Sequence, residues 1–212
     1  MTTPMPPFAI RTPRLLIRSW QPGDGPLLKR AIDANLAHLR PWMPWAHDEP
    51  SPPEVVEERV RRFAERFTQG EDWVYALFSP DGRQVLGGSG LHPRIGPSGL
   101  EIGYWLDAGH TGRGLASEAA AALTRAAFDL PHIDQVEIRC DPRNLASAAV
   151  PRRLGFRLAE VLVADTVTPD GGEPRDTMVW RIDRDDLAAL SADAPLLALG
   201  RLAEGLSGPA VG

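Results

Sequence analysis

The feature that most limits how this chain can fold lies between residues 100 and 130. A strand-like run, Leu100–Leu106, is followed by a glycine-bearing turn, Gly109–Gly114, and then by a long Ala-rich helix ending near Leu130. Two further runs precede it, Trp73–Phe78 and Val85–Gly90. Pro80-Asp81-Gly82 lies between those two and is a hairpin signal. Gly96-Pro97-Ser98-Gly99 separates the second run from the third, so the three are expected as an antiparallel meander feeding a helix.

The rest of the chain alternates in the same way. Leu15–Trp20 reads as a first strand, broken by Pro22–Pro26, with a helix from Leu27 to about Leu39. Two prolines make Arg40–His47 a loop. Ser51, Pro52 and Glu54 have the pattern of a capping box opening a second helix. Val56, Val60, Phe63 and Phe67 give that helix one apolar face, and Gly70 ends it. After the Ala-rich helix come a strand over 135–140 and a short helix from Asn144 to about Leu154, with Pro151 inside it. A strand from Gly155-Phe156 to about Val167, a turn at Asp170-Gly171-Gly172 and a last strand, Thr177–Ile182, complete the pattern. The order β-α-α-β-β-β-α-β-α-β-β implies an α/β or α+β fold with a mixed, mostly antiparallel sheet flanked by helices. One domain is expected over residues 10–185, with a tail over 1–9 and an extension over 190–212.

Composition narrows the function classes. Of 212 residues, 43% are hydrophobic and 24% charged, the balance of a water-soluble domain with a substantial core. Cys140 is the only cysteine, which rules out an intrachain disulfide and suits a reducing cytoplasm. No apolar run approaches the roughly 20 residues of a membrane helix, and the N-terminus lacks the pattern of a secretion signal. A net charge of −5 argues against general nucleic-acid binding.

Chemistry concentrates at His110–Glu118. Gly112 and Gly114 can take torsions other residues resist and let a ligand approach the main chain. The helix that follows begins with unpaired N–H groups at the positive end of its dipole. Together these suit a pyrophosphate, with Arg113 as an added cation. Gly-x-Gly alone also describes an ordinary tight turn. A dinucleotide loop is disfavoured, since that motif follows the first strand of a parallel array.

In two stretches the chain resembles the GNAT acetyltransferases. Thr111-Gly112-Arg113-Gly114-Leu115-Ala116 is similar to that family's pyrophosphate signature, with Thr111 where Gln or Arg is usual. Asn144 through Gly155-Phe156 is similar to its second signature. Thr12–Arg18, His38–Trp45 and Glu101–Leu106 look like the RimJ/RimL branch. The resemblance implies a GNAT fold, acetyl-CoA as cosubstrate, no metal, and transfer to a primary amine, foremost a protein N-terminal α-amine. A small-molecule amine acyltransferase and a non-catalytic acyl-CoA-binding module are the alternatives. It leaves a homodimer open and implies neither nucleic acid nor membrane as partner.

By the same resemblance, residues Thr111 to Ala116 bind diphosphate, Asn144 binds the pantetheine arm, and the backbone of Trp105 and Leu106 runs beside that arm. Many relatives protonate the leaving thiolate with a Tyr where this chain has Pro151, so Ser147 is the expected donor. Glu101 is the expected general base and acceptor contact, with Asp107 and His92 as further candidates. Trp42 and Trp45 are expected to wall the acceptor site, with Arg40 as a partner for a carbonyl or carboxylate.

Overall fold

A computed structural model describes residues 4–168 and 170–189. Eight strands form one sheet: β1 Ala9–Arg11, β2 Leu16–Ser19, β3 Trp73–Phe78, β4 Val85–His92, β5 Gly99–Leu106, β6 Gln135–Cys140, β7 Arg157–Val167 and β8 Pro174–Asp183. Their order is β1-β2-β3-β4-β5-β6-β8-β7. Every neighbouring pair is antiparallel except β5 and β6. A parallel pair needs a crossover. Here that crossover contains α4, Leu115–Phe128. The β5–β6 ladder covers only Gly99↔Gln135 to Glu101↔Glu137. Beyond Glu101 the two strands part, so one edge of β5 has no partner strand from Ile102 onward.

Helices cover both faces. On one face, Ile17, Tyr75, Leu77, Leu91, Leu100 and Ile102 pack with α4 and with α5, Leu145–Arg153. The run Ala119–Ala122 is almost wholly buried, and its small side chains let α4 lie close against the sheet. On the other face, Leu16, Ala76 and Phe78 pack with α1, Gly25–Asp33, and α3, Pro53–Gln69. Val56, Val60 and Phe67 of the expected apolar face are fully buried, and Gly70 closes α3 in the left-handed conformation at φ +74°.

Four local expectations are corrected. A short strand, β1, precedes the first strand read from the sequence and pairs with it. The helix expected over 27–39 splits into α1 and α2, Leu36–Leu39. Asn35 sits at the break and turns its side chain to the backbone and to the loop after β5, a competition with helix bonding that favours Asn at helix ends. The Ser51 capping box does not form: α3 starts at Pro53 with Pro52 at its cap and no side-chain cap bond. Ser51 instead donates its N–H to the buried Glu49 carboxylate at 2.6 Å. Finally, the loop Arg40–His47 contains part of a 3-10 helix, Pro44–Asp48. The succession of strands and helices along the chain is otherwise as expected, with β4 running on to His92 and β8 beginning at Pro174. The extension over 190–212 lies outside the described residues.

Candidate acetyl-CoA site

A cleft of about 440 Å³ runs along the open edge of β5. One wall is Tyr104, Trp105 and Leu106. The floor is the loop at Thr111, Gly112 and Gly114 with the first turn of α4, Leu115 to Ser117. The opposite wall is α5, through Asn144, Ser147 and Val150. Trp42 and Met43 close it from the far side.

The loop owes its shape to two glycines. Gly112 has φ +70° and Gly114 φ +78°, torsions that cost an ordinary residue roughly 1–2 kcal/mol. Leu115 then begins α4, so the free N–H groups of that turn face the cleft end. Charged side chains far away in sequence hold the loop in place. The Glu118 carboxylate, 3% exposed, accepts the Arg14 backbone N–H at 3.0 Å and the Arg14 Nε–H at 2.6 Å. The same guanidinium donates to the Arg113 carbonyl at 2.6 Å. On the other side Asp107 accepts from Gly109 N–H at 3.0 Å, His110 Nδ1 at 2.7 Å and Asn35 Nδ2 at 2.7 Å. Burial pushes the Asp107 carboxyl up, but these hydrogen bonds and the His110 charge outweigh it and hold it below the usual carboxylate value.

At the other end, Asn144 caps α5, its Oδ1 accepting the Ser147 N–H at 3.0 Å. Pro151 has no N–H to give the Ser147 carbonyl one turn back. The Tyr104 hydroxyl takes that place, donating to the Ser147 carbonyl at 3.1 Å and lying 3.2 Å from Ser147 Oγ. Burial pushes the Tyr104 phenol well above its ordinary value, so it keeps its proton. Burial likewise raises the neighbouring Cys140 thiol.

The structure gathers Trp105, Leu106, Thr111, Gly112, Gly114, Leu115, Ala116, Asn144, Ser147 and Trp42 around one cleft. It does not bring Arg113, Trp45 or Glu101 into that lining. Arg113 contributes its carbonyl to the Arg14 clamp, and its side chain is exposed. Trp45 packs edge-on against Trp105, centroids 6.2 Å apart. Glu101 points to the face of the sheet opposite Tyr104. Its carboxylate lies 3.8 Å from Arg94 and 3.9 Å from Arg139. Arg40 donates to the carbonyls of Ala46 and Glu49, and so braces the Pro-rich segment.

Sequence reasoning missed Tyr104 and Arg14. Tyr104 lies on a strand whose apolar neighbours hide it. Its only signal was the proline at 151, which leaves a helix carbonyl in need of a donor. Arg14 lies in the Thr12–Arg18 stretch, and its partner Glu118 is 104 positions away. Among the described residues no cluster of His, Cys, Asp and Glu is arranged to hold a metal ion, and no helix is long and apolar enough to cross a membrane.

An open-edged strand, a glycine loop at a helix N-terminus and a protonated phenol beside the gap thus meet in one cleft. Comparison with known proteins identifies the family. Residues 14–157 match the family described as an acetyltransferase (GNAT) domain. The chain is 27% identical over 154 residues to the [ribosomal protein uS5]-alanine N-acetyltransferase of Escherichia coli, covering 72% of this chain and 79% of that protein. It is 29% identical over 143 residues to the probable N-acetyltransferase YjcK of Bacillus subtilis, covering 66% and 74%. Its fold matches that of RimL, the ribosomal L7/L12 alpha-N-protein acetyltransferase solved with coenzyme A, at a TM-score of 0.75 and 24% identity, covering 82% of this chain and 97% of that one. The protein is thus an acyl-CoA-dependent acetyltransferase. The chain belongs to the GNAT acetyltransferase family, in its RimJ/RimL-like branch, and acetyl-CoA is its cosubstrate.

Proposed function

We propose that this enzyme acetylates the N-terminal α-amine of a protein, with the cleft beside β5 as its acetyl-CoA site. One observation carries the reading: on its β6 side β5 has no partner strand beyond Glu101, and the cleft along that edge joins the left-handed glycine loop to the Tyr104–Ser147 pair. In this reading the main-chain N–H groups from Thr111 to Ala116 grip the diphosphate, and Arg113 faces it from solvent. Pantetheine lies beside the backbone of Trp105 and Leu106, with Asn144 across from it. The departing thiolate takes its proton from Tyr104, with Ser147 alongside.

The acceptor approaches from the opposite face of β5, where Trp45 and Trp105 meet and Trp42 stands at the border. Glu101 and His92 are the proton-accepting side chains that β5 and β4 present to that side. An α-amine, with pKa about 8, needs less help at neutral pH than a lysine amine at about 10.4. The two named relatives that act on ribosomal proteins support a protein acceptor and, with it, a cytoplasmic setting. The test is thiol release from acetyl-CoA with unblocked peptides, the same peptides with a blocked α-amine, and small amines. Mass spectrometry then locates the acetyl group. Turnover confined to free N-termini supports the reading, and turnover only with small amines replaces it.

A further inference from the structure

We infer that His92, oriented by Asp72, is the base that takes the proton from the acceptor amine. The inference rests on the acetyltransfer reading above and names the proton acceptor within it.

His92 ends β4, directly opposite Glu101 in the antiparallel register, so both side chains leave the same face of the sheet. The ring does not point away from the strands but folds back over them. A Cβ on Gly90 would fall 2.5 Å from His92 Nε2, and one on Gly103 would fall 3.5 Å from it. Gly90 and Gly103 are themselves paired across β4 and β5. The imidazole therefore occupies space that two missing side chains leave, against the part of β5 that has separated from β6. Next to it, Trp105 covers Gly88 in the same manner and meets Trp45. Tyr104 lies on the other face of the same strand, one residue from Gly103. A thioester held at the open edge of β5 thus has His92 on one side and Tyr104 on the other.

The tautomer is right for a base. His92 Nδ1 lies 2.5 Å from Asp72 Oδ1. Burial raises the Asp72 carboxyl, but the His92 contact and the charges of Arg66 and Arg94 outweigh it and keep it ionised. An ionised carboxylate only accepts, so Nδ1 carries the hydrogen and Nε2 keeps its lone pair. Nε2 bonds to nothing among the described residues, and the side chain is 13% exposed. Glu101 is less suited: it sits where β5 is still paired to β6, between two guanidinium groups. In the balanced step the incoming ammonium gives one proton to Nε2. The freed nitrogen lone pair forms the C–N bond, the C–S bond breaks, and the thiolate takes a proton from Tyr104. The second amine proton leaves to water as the amide forms.

The charged groups facing His92 are Asp72, Arg66 and Arg94 beside it and Glu101 across the strand. The test measures the pH dependence of turnover for wild type, His92→Gln, Asp72→Asn and Glu101→Gln, with acetyl-CoA affinity by calorimetry. Expected for His92→Gln is a loss of about 100-fold or more in kcat and disappearance of the acidic limb, at unchanged acetyl-CoA affinity. Asp72→Asn keeps the limb but moves it to lower pH, because a negative neighbour is lost. Glu101→Gln keeps the limb and moves it less than Asp72→Asn does, because Arg94 and Arg139 flank the Glu101 carboxylate. Imidazole in solution restores part of the rate of His92→Ala. A His92→Gln enzyme that retains the acidic limb overturns the inference while leaving the acetyltransferase reading intact. So does an unmoved limb in Asp72→Asn, a readout that survives if the His92 variants fail to fold. If the wild type releases no thiol with any amine, both readings fall.

Discussion

The Tyr104 hydroxyl donates to the Ser147 carbonyl, one turn before the proline that cannot do so itself. This one contact joins β5 to α5 across the cleft and fixes a protonated phenol 3.2 Å from the Ser147 hydroxyl. Pro151 therefore does more than remove a tyrosine from a helix. It leaves an acceptor open, and the hydroxyl of Tyr104 from the neighbouring strand fills it, which places on β5 the phenol proposed above as the proton donor.

Tyr104→Phe is expected to lower kcat by about 100-fold and acetyl-CoA affinity much less. It leaves the Ser147 carbonyl short of a donor, at a stability cost of about 1 kcal/mol. Ser147→Ala keeps that carbonyl and the phenol, so its loss in kcat is smaller. Steady-state rates and calorimetric Kd values separate the two. If Ser147→Ala is the more damaging, the hydroxyl rather than the phenol gives the proton.

Gly112→Ala isolates the backbone requirement of the loop. A Cβ there meets nothing within 4 Å, so the only penalty is the left-handed torsion at φ +70°. A cost of roughly 1–2 kcal/mol translates into about a tenfold weaker Kd for acetyl-CoA if the loop rearranges to relieve it. Gly112→Asn, whose residue type tolerates that region, is expected to fall between Ala and the wild type. An Ala variant with full affinity means that the loop does not bind through its present shape.

Arg14→Ala removes one donor, the Nε–H, from the nearly fully buried Glu118 carboxylate and one from the Arg113 carbonyl. The backbone donor of residue 14 remains. Because Arg14 is half exposed, the stability cost is expected near the lower end of about 1–3 kcal/mol. The larger effect falls on acetyl-CoA affinity, since the loop loses its tether. Arg14→Lys keeps the charge but not the fork, and is expected to recover stability better than affinity. Thermal melting and calorimetry on both variants check this.

Much of this arrangement was legible in the sequence because its signals are local. Gly112 and Gly114 encode torsions, the alternation of β6 encodes a strand, and Gly70 encodes a helix end. What was illegible depends on residues distant in the chain. Ser51 and Glu54 have the spacing of a capping box, but the buried Glu49 carboxylate claims the Ser51 N–H and tertiary contact wins. The break at Asn35 is set by its bonds to Asp107 and Ala108, more than 70 positions on. The opposition of His92 and Tyr104 across β5 follows from strand register and from the early end of the β5–β6 ladder, neither of which leaves a mark in residue order.

Asp107 gives the loop a predictable response to acid. Its carboxyl is held below the ordinary value of 3.8. The folded state thus favours the ionised form, and its contribution is fully present above that value. It is lost as pH falls through the lowered one. Acidification below about pH 4 is therefore expected to release Asn35, His110 and the Gly109 N–H together, and to lower the melting temperature. Asp107→Asn cannot ionise. It is expected to be less stable than the wild type at neutral pH and to show a shallower decline below about pH 4, so the two melting curves converge in acid. Parallel curves at every pH would mean that Asp107 contributes nothing specific to the loop.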